Sequence, residues 1–189
     1  MPSACVPVES RSAHAGVQPP AGANGSRRVV VLGIGNTLLA DDGAGVHAAL
    51  ALRDAYALPP GVEVIDGGTA GMELLDSLAG ADLLLVLDAV KAGRAPASLV
   101  ELAGDEVPAF FRAKLSQHQV SICDVLAGLE FAGAAPRELV LIGIEPCSMA
   151  LSLGPTPAVA AQLPQMVEAA VRALCARGVA LAPKPAPVA

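Results

Sequence analysis

The chain has 189 residues, of which 53% are hydrophobic and 16% charged, a composition that encloses a core and excludes intrinsic disorder. Twelve basic against 18 acidic residues give a formal charge of −6, so the basic field that a phosphate backbone requires is missing. With no tryptophan and four aromatic residues, Tyr56, Phe110, Phe111 and Phe131, stacking platforms for single strands are missing too, and no nucleic-acid partner is expected.

Residues 1–28 lack periodicity and are rich in Pro, Gly, Ser and Ala, which reads as a flexible leader. Val29 to Ile34 is a short apolar run closing on a Gly-Ile-Gly-Asn turn, the pattern of a buried parallel strand. Helical spacing follows from Gly45 to Ala57 until Pro59-Pro60-Gly61 stops it. Val62 to Ile65 predicts a second strand, Asp66 to Thr69 a loop, and Gly71 to Leu78 a short helix started by Thr69. Leu83 to Leu87 predicts the third strand, closing on Asp88, and Leu99 to Leu102 an additional one. Two helices, Pro108 to Lys114 and Gln119 to Phe131, precede a buried strand at Leu139 to Ile144. Thr156-Pro157 reads as an N-cap with proline in the first turn, opening a helix that Pro164 should kink and that ends near Gly178. Three prolines in residues 180–189 suit an extended tail.

Strands alternating with helices define an α/β domain over residues 29–179, three layers deep. A mainly parallel, twisted sheet of about five strands should carry helices on both faces. Ligands of such sheets bind beyond the carboxyl ends of the strands, which selects the loops at 33–42, 66–71 and 88–91. The 22 residues between Glu145 and Glu168 carry no charge, but Pro146, Gly154, Pro155, Pro157 and Pro164 interrupt them, and no membrane insertion is expected. Arg27-Arg28 precedes an apolar run that meets Asp41-Asp42 too soon for an export signal. Cys5, Cys123, Cys147 and Cys175 form no CxxC pair, which fits a reducing cytoplasm.

Asp41 and Asp42 follow the first strand, Asp66 ends the second and Asp88 ends the third, so several carboxylates should gather at one edge, where such crowding requires a cation. His118, in a polar stretch before a helix, belongs to the same neighbourhood, and one or two carboxylates with an imidazole suit a divalent transition metal. Each residue also has a plainer role available. Asp42 could cap the next helix, although Asp41 suits that role better; Asp88 and Asp66, the latter with Gly67 and Gly68, could be turn residues; His118 could be solvated. His47 reads as structural, and Cys123, five residues beyond His118, does not share a helix face with it. The turn at Gly33-x-Gly35 leaves a nucleotide-binding enzyme as an alternative, although Leu38 stands where the fingerprint has its third glycine.

Four ordered blocks, Val31 to Gly45, Asp66 to Leu75, Val86 to Val90 and Ser116 to Gln119 with Asp124 to Leu126, resemble the nickel-iron hydrogenase maturation endopeptidases, most closely the members serving uptake hydrogenases. The resemblance implies a cytoplasmic, monomeric protease that removes the carboxy-terminal extension of the hydrogenase large-subunit precursor after nickel insertion. It also implies that Asp42, Asp88 and His118 meet the nickel and are the candidates for the catalytic base, with Asp66, Gly67 and Gly68 as a substrate loop. The nickel would arrive with the precursor as the recognition element, and no permanently bound cofactor is expected. Some members carry Glu where this chain has Asp42, so its carboxylate starts one methylene closer to the backbone. A noncatalytic chaperone of immature hydrogenase is the other alternative.

Overall fold

The computed structural model describes residues 27–112 and 122–185. In chain order the elements are β1 (Val29–Ile34), α1 (Ala44–Ala55), β2 (Tyr56–Ala57), β3 (Val62–Gly68), α2 (Leu75–Leu78), β4 (Leu83–Ala89), β5 (Leu99–Ala103), α3 (Glu106–Arg112), α4 (Ile122–Phe131), β6 (Glu138–Ile144), α5 (Pro157–Cys175) and β7 (Ala182–Pro183). Short 3-10 turns at Ala40–Gly43 and Gly71–Leu74 lead into α1 and α2.

The main sheet has the order β3-β1-β4-β6-β5. Its first four strands are parallel and β5 runs antiparallel to β6. Alternation along the strands divides the core in two. Val29, Val31, Leu83, Leu85 and Leu87 pack with residues of α1 and α5, whereas Val30, Leu32, Leu84 and Val86 pack with Leu78, Val125 and Leu129 from α2 and α4. Burial on both faces is what makes β1 and β4 continuous apolar runs in the sequence. After β1 the chain moves outward to β3 and then returns to the other side of β1 as β4. This reversal opens a crevice at the carboxyl ends of β1 and β4, the place where open parallel sheets hold ligands.

The expected sheet of about five strands and its covering helices are therefore present, with differences at the ends of elements. β3 continues through Asp66, Gly67 and Gly68, which pair with β1 up to Ile34 across a register shift. Glycine density suggested a loop, but a glycine at 67 is what lets Leu32 pack there, since an added Cβ would lie 2.7 Å from its Cδ1. The turn before α2 starts after Ala70, with no side-chain capping bond, so Thr69 does not act as the cap. Asp88 lies within β4 rather than after it. The Thr156 cap of α5 is present, its side chain accepting the Val159 N–H at 3.5 Å, and the helix runs through Pro164. The tail is extended but docked: β7 pairs antiparallel with β2, Leu181 is buried, and the Lys184 N–H donates to Ala55 O at 2.8 Å. Arg28, assigned to the leader, is tied to the fold: its N–H donates to Asp82 at 2.8 Å and its guanidinium pairs with Glu63 at 2.7 Å.

Candidate active site

The loop leaving β1 folds back on itself. Gly35 has φ +123, and a Cβ there would lie 1.8 Å from the Asp42 carbonyl oxygen, so only glycine permits the loop to close against the 3-10 turn. The Asn36 N–H donates to the Asp42 carboxylate at 2.8 Å, and Asn36 Oδ1 accepts the Leu38 N–H at 2.9 Å. Ala40, the residue where the turn begins, is held at φ 43, a strained conformation for a residue with a Cβ and a mark of a closely determined loop.

Asp42 and Asp88 line the same cleft, of about 650 Å³, together with Asn36, Leu39, the segment from Gly68 to Leu74, and Ile122 and Val125 of α4. Burial raises the Asp88 carboxyl well above the usual carboxylate range, and the negative charge of Asp42 adds to that, while an N–H from Ala89 opposes it in part. An acid whose ionisation is disfavoured by a neighbouring carboxylate forms a site that gains from a cation.

Asp41 points away from this pair. Its side chain is fully buried and caps no part of α1, whose N-cap is Gly43. Instead one carboxylate oxygen accepts the N–H groups of Cys147 (2.8 Å) and Ser148 (2.9 Å) and the Thr156 hydroxyl (3.1 Å), and the other accepts the Thr156 N–H at 2.6 Å. Burial alone would raise this carboxyl, but the three backbone donors and the hydroxyl outweigh it and hold it below its ordinary value. The expected local cap is thus a long-range clamp between the loop carrying Asp42 and the loop entering α5. The adjacent acids are visible in the sequence, but neither the burial of Asp41 nor its partners are.

Of the other singled-out residues, His118 lies outside the described residues. Asp66 is exposed and accepts the Gly68 N–H at 3.1 Å. That bond gives it the turn-type role, while Gly68 and Thr69 reach the cleft. Among the described residues no group of three or more His, Cys, Asp or Glu side chains is placed to hold a metal. His47 sits in α1 with its Nε2 buried and unpartnered among the described residues. Sequence reasoning overlooked Asn36, which fixes Asp42, and Glu73, an exposed carboxylate on the cleft wall. The turn after β1 is a poor pyrophosphate cradle: Gly35 faces the Asp42 carbonyl, and two carboxylates occupy the neighbouring space.

A family model described as hydrogenase maturation protease matches residues 46–173. The chain is 43% identical over 160 residues to the hydrogenase 2 maturation protease of Escherichia coli, covering 84% of this chain and 98% of that protein. It is also 43% identical over 161 residues to the hydrogenase expression/formation protein HupM of Azotobacter chroococcum, with 84% and 77% covered. The structure resembles the hydrogenase maturating endopeptidase HybD from E. coli with a TM-score of 0.78 at 43% identity, over 83% of this chain and 98% of that one. Joined to a cleft whose paired carboxylates lie at the reversal point of a mostly parallel sheet, these matches establish that the chain belongs to the hydrogenase maturation protease family.

Proposed function

We propose that the chain removes the carboxy-terminal extension from a nickel-iron hydrogenase large-subunit precursor, and that nickel held by that precursor is recognised by Asp42, Asp88 and His118. The observation that carries this reading is that Asp42 and Asp88 line one cleft at the carboxyl ends of β1 and β4, where burial and the Asp42 charge both raise the Asp88 carboxyl. A divalent ion held between the two acids would relieve that repulsion and favour the ionised form of Asp88. Carboxylate oxygens and an imidazole are suitable donors for nickel, which stays substrate-borne while its thiolate ligands belong to the precursor.

A bound divalent ion supplies a Lewis acid for amide hydrolysis. This chain's part is to hold Asp42 through the Asn36 N–H, to keep Asp88 on a rigid strand, and to accept a proton from the attacking water at one of Asp42, Asp88 or His118. The cysteines support a reducing, cytoplasmic setting: Cys123, Cys147 and Cys175 form no disulfide among the described residues. No helix of the described residues is long and apolar enough to cross a membrane. The proposed working form is a monomer.

The test is to mix the purified chain with nickel-loaded and nickel-free precursor and to follow the mass of the large subunit. Loss of a short carboxy-terminal peptide from the nickel-loaded form alone is the expected result. Binding without cleavage would favour a chaperone, and equal cleavage of both forms would remove nickel as the recognition element.

A further inference from the structure

Among the described residues five large apolar side chains are exposed: Leu38, Met72, Phe131, Leu151 and Leu153. Four of the five lie on or beside the cleft. Met72 lines it, and the three leucines are chain neighbours of an isolated parallel bridge at its rim, between the cleft residue Leu39 and Ser152. There the Ser152 N–H donates to Leu38 O at 3.0 Å and the Ala40 N–H to Ser152 O at 3.3 Å. Leu151 and Leu153, 83% and 87% exposed, flank the bridged residue, while Leu39 on the partner segment faces the cleft.

Leucines so exposed on a loose loop would be an accident of sequence, but this backbone is fixed. The bridge holds its middle and the buried Asp41 carboxylate holds both ends, at Cys147–Ser148 and at Thr156. An apolar surface kept open on a pinned loop is preorganised for a partner, because little conformational freedom remains to be lost on binding. The loop belongs to the uncharged run between Glu145 and Glu168, so it presents no charged side chain to a partner. What fits it is an uncharged, apolar stretch of polypeptide.

We infer that Leu38, Leu151 and Leu153 form an apolar lip on which the precursor polypeptide docks next to the bond that is cut. This rests on the processing reading above. The occupant follows from continuity with the cleft: a chain whose scissile bond lies beside Asp42 and Asp88 leaves the cleft over its rim, and Leu39 joins the cleft wall to this lip. The lip thereby selects among precursors by the apolar residues flanking the cleavage site, while the acids act on whatever is presented.

The experiment compares the parent chain, Leu151→Ser with Leu153→Ser, and Leu151→Met with Leu153→Met on nickel-loaded precursor. The serine pair is expected to raise KM about tenfold with kcat changed less than about twofold, a loss of binding shared by ground and transition states. Its thermal melt should match the parent, since both side chains are already in water, and the methionine pair should recover most of the affinity. An unchanged KM in the serine pair overturns the lip. So does sedimentation showing a parent dimer that the serine pair dissolves, which would make a second copy the occupant. Should the parent fail to cleave, the processing reading falls by itself. Titration calorimetry with the same precursor then decides the lip: equal affinity of parent and serine pair overturns it.

Discussion

The Asp41 carboxylate accepts the Thr156 backbone N–H at 2.6 Å across a sequence separation of 115 residues. Thr156 is the N-cap of α5, so this bond ties the start of the longest helix to the residue beside Asp42. Asp41→Ala leaves three part-buried N–H groups and one hydroxyl without their acceptor, and should cost about 2–3 kcal/mol, more than the roughly 1 kcal/mol of a lost local cap. Asp41→Asn should recover part of the loss, because its remaining oxygen can accept from Cys147, Ser148 and the Thr156 hydroxyl while its amide N–H groups face the Thr156 N–H. Urea unfolding of both variants checks this, and a loss below about 1 kcal/mol for Asp41→Ala would contradict the clamp.

Two carboxyls shifted in opposite senses give the stability a pH signature. Asp41 is lowered in the folded state, so its contribution is complete above the unfolded value of about 3.9 and is lost as pH falls through the folded one. Asp88 is raised, so the folded state binds the extra proton, and stability declines as pH climbs from the unfolded value through the folded one. Asp88→Asn should therefore melt higher than the parent at neutral pH without metal, with the gap closing toward pH 4. Melting curves of both proteins across that range provide the check; a lower melt for Asp88→Asn at pH 7 would reverse the sign assigned to Asp88.

At the proposed nickel site, Asp42→Ala, Asp88→Ala and His118→Ala should each abolish processing of nickel-loaded precursor. For Asp42 and Asp88 the fold should survive, since a carboxylate lining an open cleft contributes none of the roughly 2–5 kcal/mol of a core truncation. Asp42→Glu should keep measurable activity, as it retains the oxygen donor. Mass spectrometry of the large subunit beside thermal melts separates lost chemistry from lost fold. Full activity in all three alanine variants would remove metal recognition from the mechanism.

Short-range patterns carried the fold into the sequence, and long-range ones did not. β1 and β4 are legible because burial on both faces makes them unbroken apolar runs, and α5 because Thr156-Pro157 opens it. The extension of β3 through Asp66–Gly68 was hidden, since glycines that admit Leu32 look the same as glycines that make a turn. Asp42 and Asp88 could be placed at the sheet edge by the parallel-sheet rule alone. Asp41 could not be read, because its partners, Cys147, Ser148 and Thr156, lie more than a hundred residues away. The docking of the tail through β7 is equally non-local: nothing in a proline-rich segment announces that Tyr56–Ala57 will pair with it.

The seating of α1 over the site yields the last prediction. A Cβ at Gly45 would lie 2.1 Å from Leu87 O and 2.5 Å from Ile34 O, both backbone atoms that no rotamer change can move. Gly45→Ala must therefore push the start of α1 off the ends of β1 and β4, at a cost of about 1–3 kcal/mol or more for overpacking. Ile34 precedes the loop that carries Asp42, and Leu87 precedes Asp88, so the displacement separates the two acids. Processing should fall at least about tenfold, which corresponds to about 1.4 kcal/mol of transition-state binding. Gly178→Ala, just past α5, supplies the contrast. Its φ of +79 penalises a side chain, but nothing lies within 4 Å of the added Cβ, so it should cost about 1 kcal/mol and leave kcat intact. Denaturant unfolding and single-turnover processing of both variants test the pair; equal activities would show that the seating of α1 does not set the geometry of the site.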